Sequence, residues 1–252
     1  MSPDAAPGTG VEVLLVAATP LELEEVLGAL DIGNERIVAG RRLYTGRRGR
    51  LPVTAVVSGI GKANAAMATA TVLQALPARW TLSLGVGGAY PGSDLALGDL
   101  AVADAEFYGD EGVQTADGWE GLEATGVPLW EGEGRCWFNH LPVDPDGALA
   151  LVRAAAGVAA VARGPFVTVS TVTGTAERAA ELDGRFEALC ENMEGAAAAH
   201  AALAAGSRFV EVRGISNRVG PRDRGAWQLS RAAAVAQRAA LAWLDSLGRS
   251  GS

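Results

Sequence analysis

Lysine is nearly absent from this chain: Lys62 is the only one, and arginine supplies the remaining cations. The skew reads as a trait of genome composition, not of function. Acidic residues outnumber basic ones, 29 to 21, for a formal charge of −8. Nucleic-acid phosphates need clustered cations, so this balance disfavours a nucleic-acid partner and suits a small substrate. Cysteine is scarce too. Cys136 and Cys190 are too few for a disulfide framework, and a reduced cytoplasm is the simplest setting. No apolar run reaches the ~18 residues of a membrane span, so no membrane partner is expected. Residues 1–10 lack the basic and apolar regions of a signal peptide and read as a disordered tail.

Several catalytic signatures are missing as well. With His140 and His200 as the only histidines and no G-x-S-x-G elbow, a Ser-His triad has no support. Cys136 and His140 lie four apart, but two ligands do not make a zinc site, and no metal is expected. Gly59-Ile60-Gly61-Lys62 lacks the first glycine and the Ser/Thr of a Walker A loop. Neither that turn nor Gly85-Val86-Gly87-Gly88 completes a dinucleotide fingerprint, so no cofactor is expected either. Catalysis has to rest on carboxylates, amides and backbone groups.

What is present is a core. Of 252 residues, 49% are hydrophobic, enough for one full-sized domain over 11–247, with a second disordered tail at 248–252. Val11–Ala17 is a nearly continuous apolar run, as in a strand buried on both faces. Thr19-Pro20 offers an N-cap and first-turn proline for a helix over Leu21–Leu30. Further strands are predicted at Val53–Val57, Thr81–Val86, Leu100–Ala103, Phe166–Thr171 and Arg208–Arg213. Helices are predicted at Lys62–Leu76, Gly147–Ala160, Glu191–Ala205 and Gln228–Leu247. This alternation argues for an α/β fold: a three-layer α/β/α domain with a mixed, mostly parallel central sheet. Ligands of such sheets sit at the carboxyl ends of the strands, which gathers Ala18–Glu22, Ser58–Gly61, Gly85–Ala89, Val172–Gly174 and Ser216-Asn217. The stretch Phe107–Pro145, rich in Gly, Pro, Trp and charge, is either an irregular excursion covering a pocket or a surface loop with a satellite apolar cluster.

Four segments, in order along the chain, resemble the purine nucleoside phosphorylase and nucleosidase superfamily. They are Ala17-Ala18-Thr19-Pro20-Leu21-Glu22, Ser58-Gly59-Ile60-Gly61-Lys62, Gly85-Val86-Gly87-Gly88-Ala89 and Asn192-Met193-Glu194-Gly195-Ala196. The Met-Glu element is the most specific of them. Read alone, Glu22 is a first-turn carboxylate favoured by a helix dipole; the resemblance implies that it activates water. Read alone, Met193 and Glu194 are a core residue and a helix start; the resemblance implies that they grip the ribose. It also implies that Gly87 and Gly88 lay backbone against the nucleoside, that Val172 and Thr173 line the base pocket, and that Trp227 faces the 5′ end of the sugar. Trp227 is also compatible with a core position at the start of the last helix.

A fifth segment departs from the nucleosidases, which carry Arg-x-Ile-Ser-Asp. Here the chain reads Arg213-Gly214-Ile215-Ser216-Asn217, followed by Arg218-Val219-Gly220 and Arg222-Asp223, and this resembles the futalosine hydrolases. The chemistry agrees. A 6-oxopurine shows acceptors at O6 and N7; an asparagine donates to O6 and accepts from N7 once that nitrogen is protonated, whereas an aspartic acid complements adenine. The resemblance therefore implies hydrolysis of futalosine to hypoxanthine and dehypoxanthinyl futalosine in menaquinone biosynthesis, with a nucleoside and water as partners and a homo-oligomer, a dimer or larger. Residues 107–119 are where a neighbouring subunit would be supplied with pocket residues. Arg218, Arg222 and Arg224 are all candidates for the carboxylate on the substrate's 5′ arm. The rival readings are a methylthioadenosine-type nucleosidase, a purine nucleoside phosphorylase, and a nucleoside-binding protein without activity. A phosphorylase would need cations where its nucleophile enters, and Ala17–Glu22 supplies none.

Overall fold

A computed structural model describes residues 11–132 and 134–250. The tail assigned to 1–10 lies outside the described residues. The strands and helices run β1 (Val11–Ala17), α1 (Glu24–Ala29), β2 (Asp31–Val38), β3 (Arg41–Arg48), β4 (Leu51–Val57), α2 (Lys62–Ala75), β5 (Ala78–Ala89) and β6 (Leu100–Tyr108). There follow β7 (Val113–Thr115), β8 (Gly118–Glu120), β9 (Trp130–Gly132), β10 (Arg135–Trp137), β11 (His140–Pro142), α3 (Pro145–Ala155) and β12 (Val161–Thr168). The chain ends with α4 (Ala176–Phe186), β13 (Cys190–Asn192), α5 (Gly195–Ala204), β14 (Arg208–Arg218) and α6 (Leu229–Ser250). The last helix thus continues through the first three residues of the tail expected at 248–252, and residues 251 and 252 are not described.

One mixed sheet organises the molecule. Its centre is parallel, with β4, β1, β5 and β14 side by side, and β6, β12 and β13 continue it. The sheet then curls onto itself, because β13 returns antiparallel to β5 and β14 also pairs antiparallel with β6. The β2–β3 hairpin extends the opposite edge. Helices α1, α3 and α6 pack together on one side, α2 and α5 on the other, which gives the three expected layers.

The β1 run is buried at every position from Val13 to Ala17 because helices cover both faces of that strand. Alanine-rich α5 lies inside the molecule, with Ala196–Ala199 fully enclosed, so its close fit depends on small side chains. At the large end, Trp80 and Trp243 meet edge to face at 5.5 Å beneath α6.

The excursion over Phe107–Pro145 is more ordered than its composition suggested. It forms two short hairpins, β7–β8 and β9–β10, and then pairs β11 with β6. Trp119 packs under Arg185, 4.2 Å from the guanidinium to the ring, and edge-on to Phe186. The aromatics of the excursion form a satellite cluster.

Candidate active site

The carboxyl ends of β1, β5, β13 and β14 surround a cavity of about 330 Å³. Glu22, Gly87, Gly88, Val172, Thr173, Met193, Glu194, Asn217 and Trp227 all line it, so these nine residues reach one space. Arg218 and Arg222 line it too, whereas Arg224 borders an adjoining hollow that shares Arg222, Trp227 and Leu229 with the cavity. No described residue of the Phe107–Pro145 segment lines the cavity of this chain. Lys62 turns away from the cavity and pairs with Asp110 and Glu111.

Glu22 arrives by a tighter turn than expected. Pro20–Glu22 is a single 3-10 turn, and the α-helix begins only at Glu24. This turn aims the carboxylate inward instead of along a helix surface. Its Oε2 accepts hydrogen bonds from the Thr19 amide at 2.9 Å and the Thr19 hydroxyl at 2.8 Å; its Oε1 accepts from the Val86 amide at 2.9 Å. The side chain is 4% exposed, and three donors fix its orientation. At Gly85 a Cβ would collide with Glu22 Oε1 and the Arg213 guanidinium, so only glycine leaves room for both groups.

Glu194 caps α5 and does not lie within it. The helix expected from Glu191 is first a strand, β13, and becomes helical only at Gly195. The cause is Asn192, whose Oδ1 accepts from the amides of Glu194 at 3.0 Å and Gly195 at 2.8 Å and turns the chain at that point. Glu194 Oε1 accepts from the Gly61 amide at 2.7 Å, and Oε2 lies 3.7 Å from Arg213 Nη1. Burial pushes the Glu194 carboxyl above its ordinary range; Arg213 and the Gly61 amide pull it part of the way back.

Arg213 ties the two acids together, although the sequence had suggested no role for it. It is fully buried and donates to Glu211 Oε1 at 2.7 Å and to Ser83 Oγ at 3.1 Å. Burial opposes its charge, but Glu211, Glu194 and Glu22 together more than offset that, and its proton is held more tightly than usual. Glu191, which lines the cavity, is another residue that sequence reasoning missed. It is buried, and accepts from Tyr90 Oη at 3.0 Å, the Thr173 amide at 3.1 Å and the Thr173 hydroxyl at 2.5 Å. Burial raises its carboxyl despite these donors.

In the same cavity, Asn217 Oδ1 accepts from Ser216 Oγ at 2.8 Å and Nδ2 donates to Arg218 O at 2.9 Å. This orientation of the amide leaves one N–H and one oxygen lone pair for a ligand. At the mouth, the Arg222 guanidinium lies 4.9 Å from the Trp227 ring, and Leu21, Ile60, Val172 and Leu229 are exposed apolar side chains around the opening. Among the described residues there is no cluster of ligands suited to a metal ion, and no helix is long and apolar enough to cross a membrane. The cavity can therefore offer a ligand three buried carboxylates, an amide, and an apolar, arginine-flanked exit.

A closed mixed sheet with such a cavity at its strand ends defines the class. The profile of the Phosphorylase superfamily matches residues 12–245, and the chain belongs to that superfamily. Its architecture is that of an S-adenosylhomocysteine nucleosidase from Streptococcus pyogenes solved with 5-methylthiotubericidin; the TM-score is 0.82 at 25% identity, covering 96% of this chain and 99% of the other. Within the superfamily the chain belongs to the futalosine hydrolases. It is 42% identical over 186 residues to the futalosine hydrolase of Streptomyces coelicolor, covering 71% of this chain and 73% of that protein. It is 38% identical over 182 residues to the futalosine hydrolase of Thermus thermophilus, covering 72% and 76%.

Proposed function

We propose that this protein hydrolyses the N-glycosidic bond of futalosine, releasing hypoxanthine and leaving dehypoxanthinyl futalosine as a step of menaquinone biosynthesis. The observation that carries the reading is the convergence of Glu22 and Glu194 on one cavity, with Asn217 lining the same space.

Breaking an N-glycosidic bond passes through an oxocarbenium-like sugar. Water has to lose a proton as it attacks the anomeric carbon, the ring's positive charge has to be met, and the leaving purine has to be relieved of negative charge. Glu22, held by three donors and fixed in aim, serves as the general base. Glu194 accepts the ribose hydroxyls and faces the developing cation; charge-assisted hydrogen bonds are the stronger kind. Met193 provides a polarizable surface against the sugar. Gly87 and Gly88 bring backbone close to the nucleoside, while Val172 and Thr173 line the base. Asn217 donates its free N–H to O6 and accepts from protonated N7. Trp227 and the apolar mouth take the substrate's 5′ arm, and Arg222, lying over Trp227, is the arginine that meets the arm's carboxylate. Arg213 does not suit a phosphate nucleophile, because Glu211, Glu194 and Glu22 already surround it.

The setting proposed is the cytoplasm, in keeping with the free thiol of buried Cys190. The assembly is proposed to be a homo-oligomer, with exposed Ile37 and Met67 as apolar surface available to it; analytical ultracentrifugation tests this. The function itself is tested by incubating purified protein with futalosine in phosphate-free buffer and in phosphate. Equal hypoxanthine release in both is expected. No release, or release that requires phosphate, refutes the reading.

A further inference from the structure

Beneath the cavity lies a second pair of acids that the roles above do not use. Glu106 on β6 and Glu211 on β14 are both fully buried, and Glu106 Oε2 and Glu211 Oε2 close around one point beside Gly195. Two ionised carboxylates have no donor between them, so a hydrogen bond joining this pair needs one proton. Glu106 Oε1 and Glu211 Oε2 also lack any N–H or O–H partner from the rest of the protein. Leaving such a buried atom unpaired is costly, and a proton shared by the two side chains provides the missing donor. The pair sits directly under the start of α5. A Cβ on Gly195 would fall 2.5 Å from Glu211 Oε2 and 2.7 Å from Glu106 Oε2, so the residue after Glu194 is glycine for steric reasons.

The surroundings decide which acid keeps the proton. Glu211 Oε1 accepts from Arg213 Nε at 2.7 Å and Asn192 Nδ2 at 3.2 Å, so its charge is well met. Glu106 Oε2 has the Thr168 hydroxyl at 3.4 Å, and the one proton of that hydroxyl is closer to Asn192 Oδ1 at 2.8 Å. Burial first, and then the charge of Glu211, push the Glu106 carboxyl well above its usual range; Arg213 and Asn192 act in the other direction. The Cys190 thiol and the Tyr108 phenol also feel the charge of Glu106.

We propose that Glu106 is a positioning residue that stays protonated at working pH and donates to Glu211, fixing Glu211 as the common anchor for both catalytic carboxylates. Two routes leave that anchor. Through Arg213 it reaches the Glu194 side chain, 3.7 Å away, and the space beside Gly85 where Arg213 Nη1 and Glu22 Oε1 converge. Through Asn192, whose amide oxygen holds the Glu194 and Gly195 amides, it reaches the backbone of Glu194. Without the shared proton, Glu211 would face Glu106 as a second buried negative charge and would move, taking both routes with it. The proposal rests on the roles given to Glu22 and Glu194 above.

The test compares E106Q and E106L with wild type. Glutamine keeps an N–H donor and cannot titrate; leucine keeps bulk and offers no donor. In infrared difference spectra at neutral pH, wild type minus E106Q should show the carbonyl band of a buried protonated carboxylic acid. E106Q should keep the wild-type kcat and pH–rate profile. E106L should lose kcat by about tenfold or more, the barrier equivalent of about 1.4 kcal/mol, with little change in KM. Absence of the band overturns the proposal whether or not futalosine is the substrate, because the spectrum needs no turnover. A shifted pH profile in E106Q, or a kcat in E106L equal to wild type, overturns it as well. Should E106L fail to fold, the spectrum and E106Q still decide. Failure of wild type to hydrolyse futalosine would count against the proposed function and leave the spectroscopic result standing.

Discussion

Replacing Glu194 with glutamine separates catalysis from stability. Glutamine keeps the shape and can still accept the Gly61 amide hydrogen bond seen at 2.7 Å. It removes the charge that faces the sugar. A unit charge about 4 Å from a full opposite charge, at an effective dielectric constant of about 20, is worth roughly 4 kcal/mol. The oxocarbenium carries only part of a charge, so a loss of about 10²–10³ in kcat is expected, in the range found for removing one preorganised electrostatic partner. Stability should move the other way. Burial raises the folded-state value of Glu194 above its ordinary one. A raised carboxyl stabilises the fold below its unfolded value, and that contribution is lost as pH rises through the folded value. Above that value the ionised group is therefore a burden on the fold, and Glu194→Gln should melt no lower than wild type. Arg213 keeps Glu211 as an ion-pair partner in the variant. Rapid-quench measurement of hypoxanthine formation, alongside thermal unfolding, gives both numbers. A kcat within about threefold of wild type, or a loss of kcat that tracks a lower melting temperature, refutes the reasoning.

Glu22→Gln should lower kcat by about 10²–10⁴ and spare substrate binding measured by calorimetry; surviving turnover removes Glu22 from the role of base. Asn217→Asp should shift the ratio of kcat/KM for 6-oxo over 6-amino nucleosides by about tenfold or more toward the amino substrate, since a mismatched buried donor costs about 1–3 kcal/mol; an unchanged ratio contradicts the assigned contact. With Arg222→Gln, KM for a substrate with a carboxylate on its 5′ arm should rise by about tenfold while a neutral nucleoside is unaffected, and equal effects on both would assign Arg222 to packing alone. Because Glu194 holds its proton to higher pH than an ordinary carboxyl, activity should be lost as pH falls, with the acid limb of kcat/KM above the usual glutamate value of about 4.3. A limb at or below that value contradicts the burial argument.

The site was largely legible in the sequence because its parts sit on short contiguous runs. Thr19-Pro20 announced the turn that carries Glu22, and Asn192-Met193-Glu194 sits at a strand-to-helix junction that can be recognised by eye. The residues that were missed act through contacts distant in sequence. Glu106 and Glu211 are 105 positions apart, and only the antiparallel pairing of β6 and β14 brings their strands together. Glu191 looked like a helix start because nothing local says that Asn192 delays the helix. In the fold, the β2–β3 hairpin went unread. Strand β2 is exposed along nearly its whole length, which erases the period-two alternation, and its turn uses Ala39-Gly40 at positive φ where an Asn-Gly pair would have been recognised. Helix α4 is different: Thr175 caps it by accepting from the Arg178 amide, and its Ala179 and Leu182 are buried, so that signal was present and was passed over. The Trp-rich excursion resolved into hairpins because its aromatics pack on one another and on Arg185, a preference that composition alone does not reveal.

The most direct measurement is a crystal structure of the Glu22→Gln protein soaked with intact futalosine. The account predicts ribose hydroxyls within about 3 Å of the Glu194 carboxylate, the anomeric carbon turned toward residue 22, and hypoxanthine against Asn217. Density placing the purine beside Glu194, or the sugar outside the reach of residue 22, would contradict it.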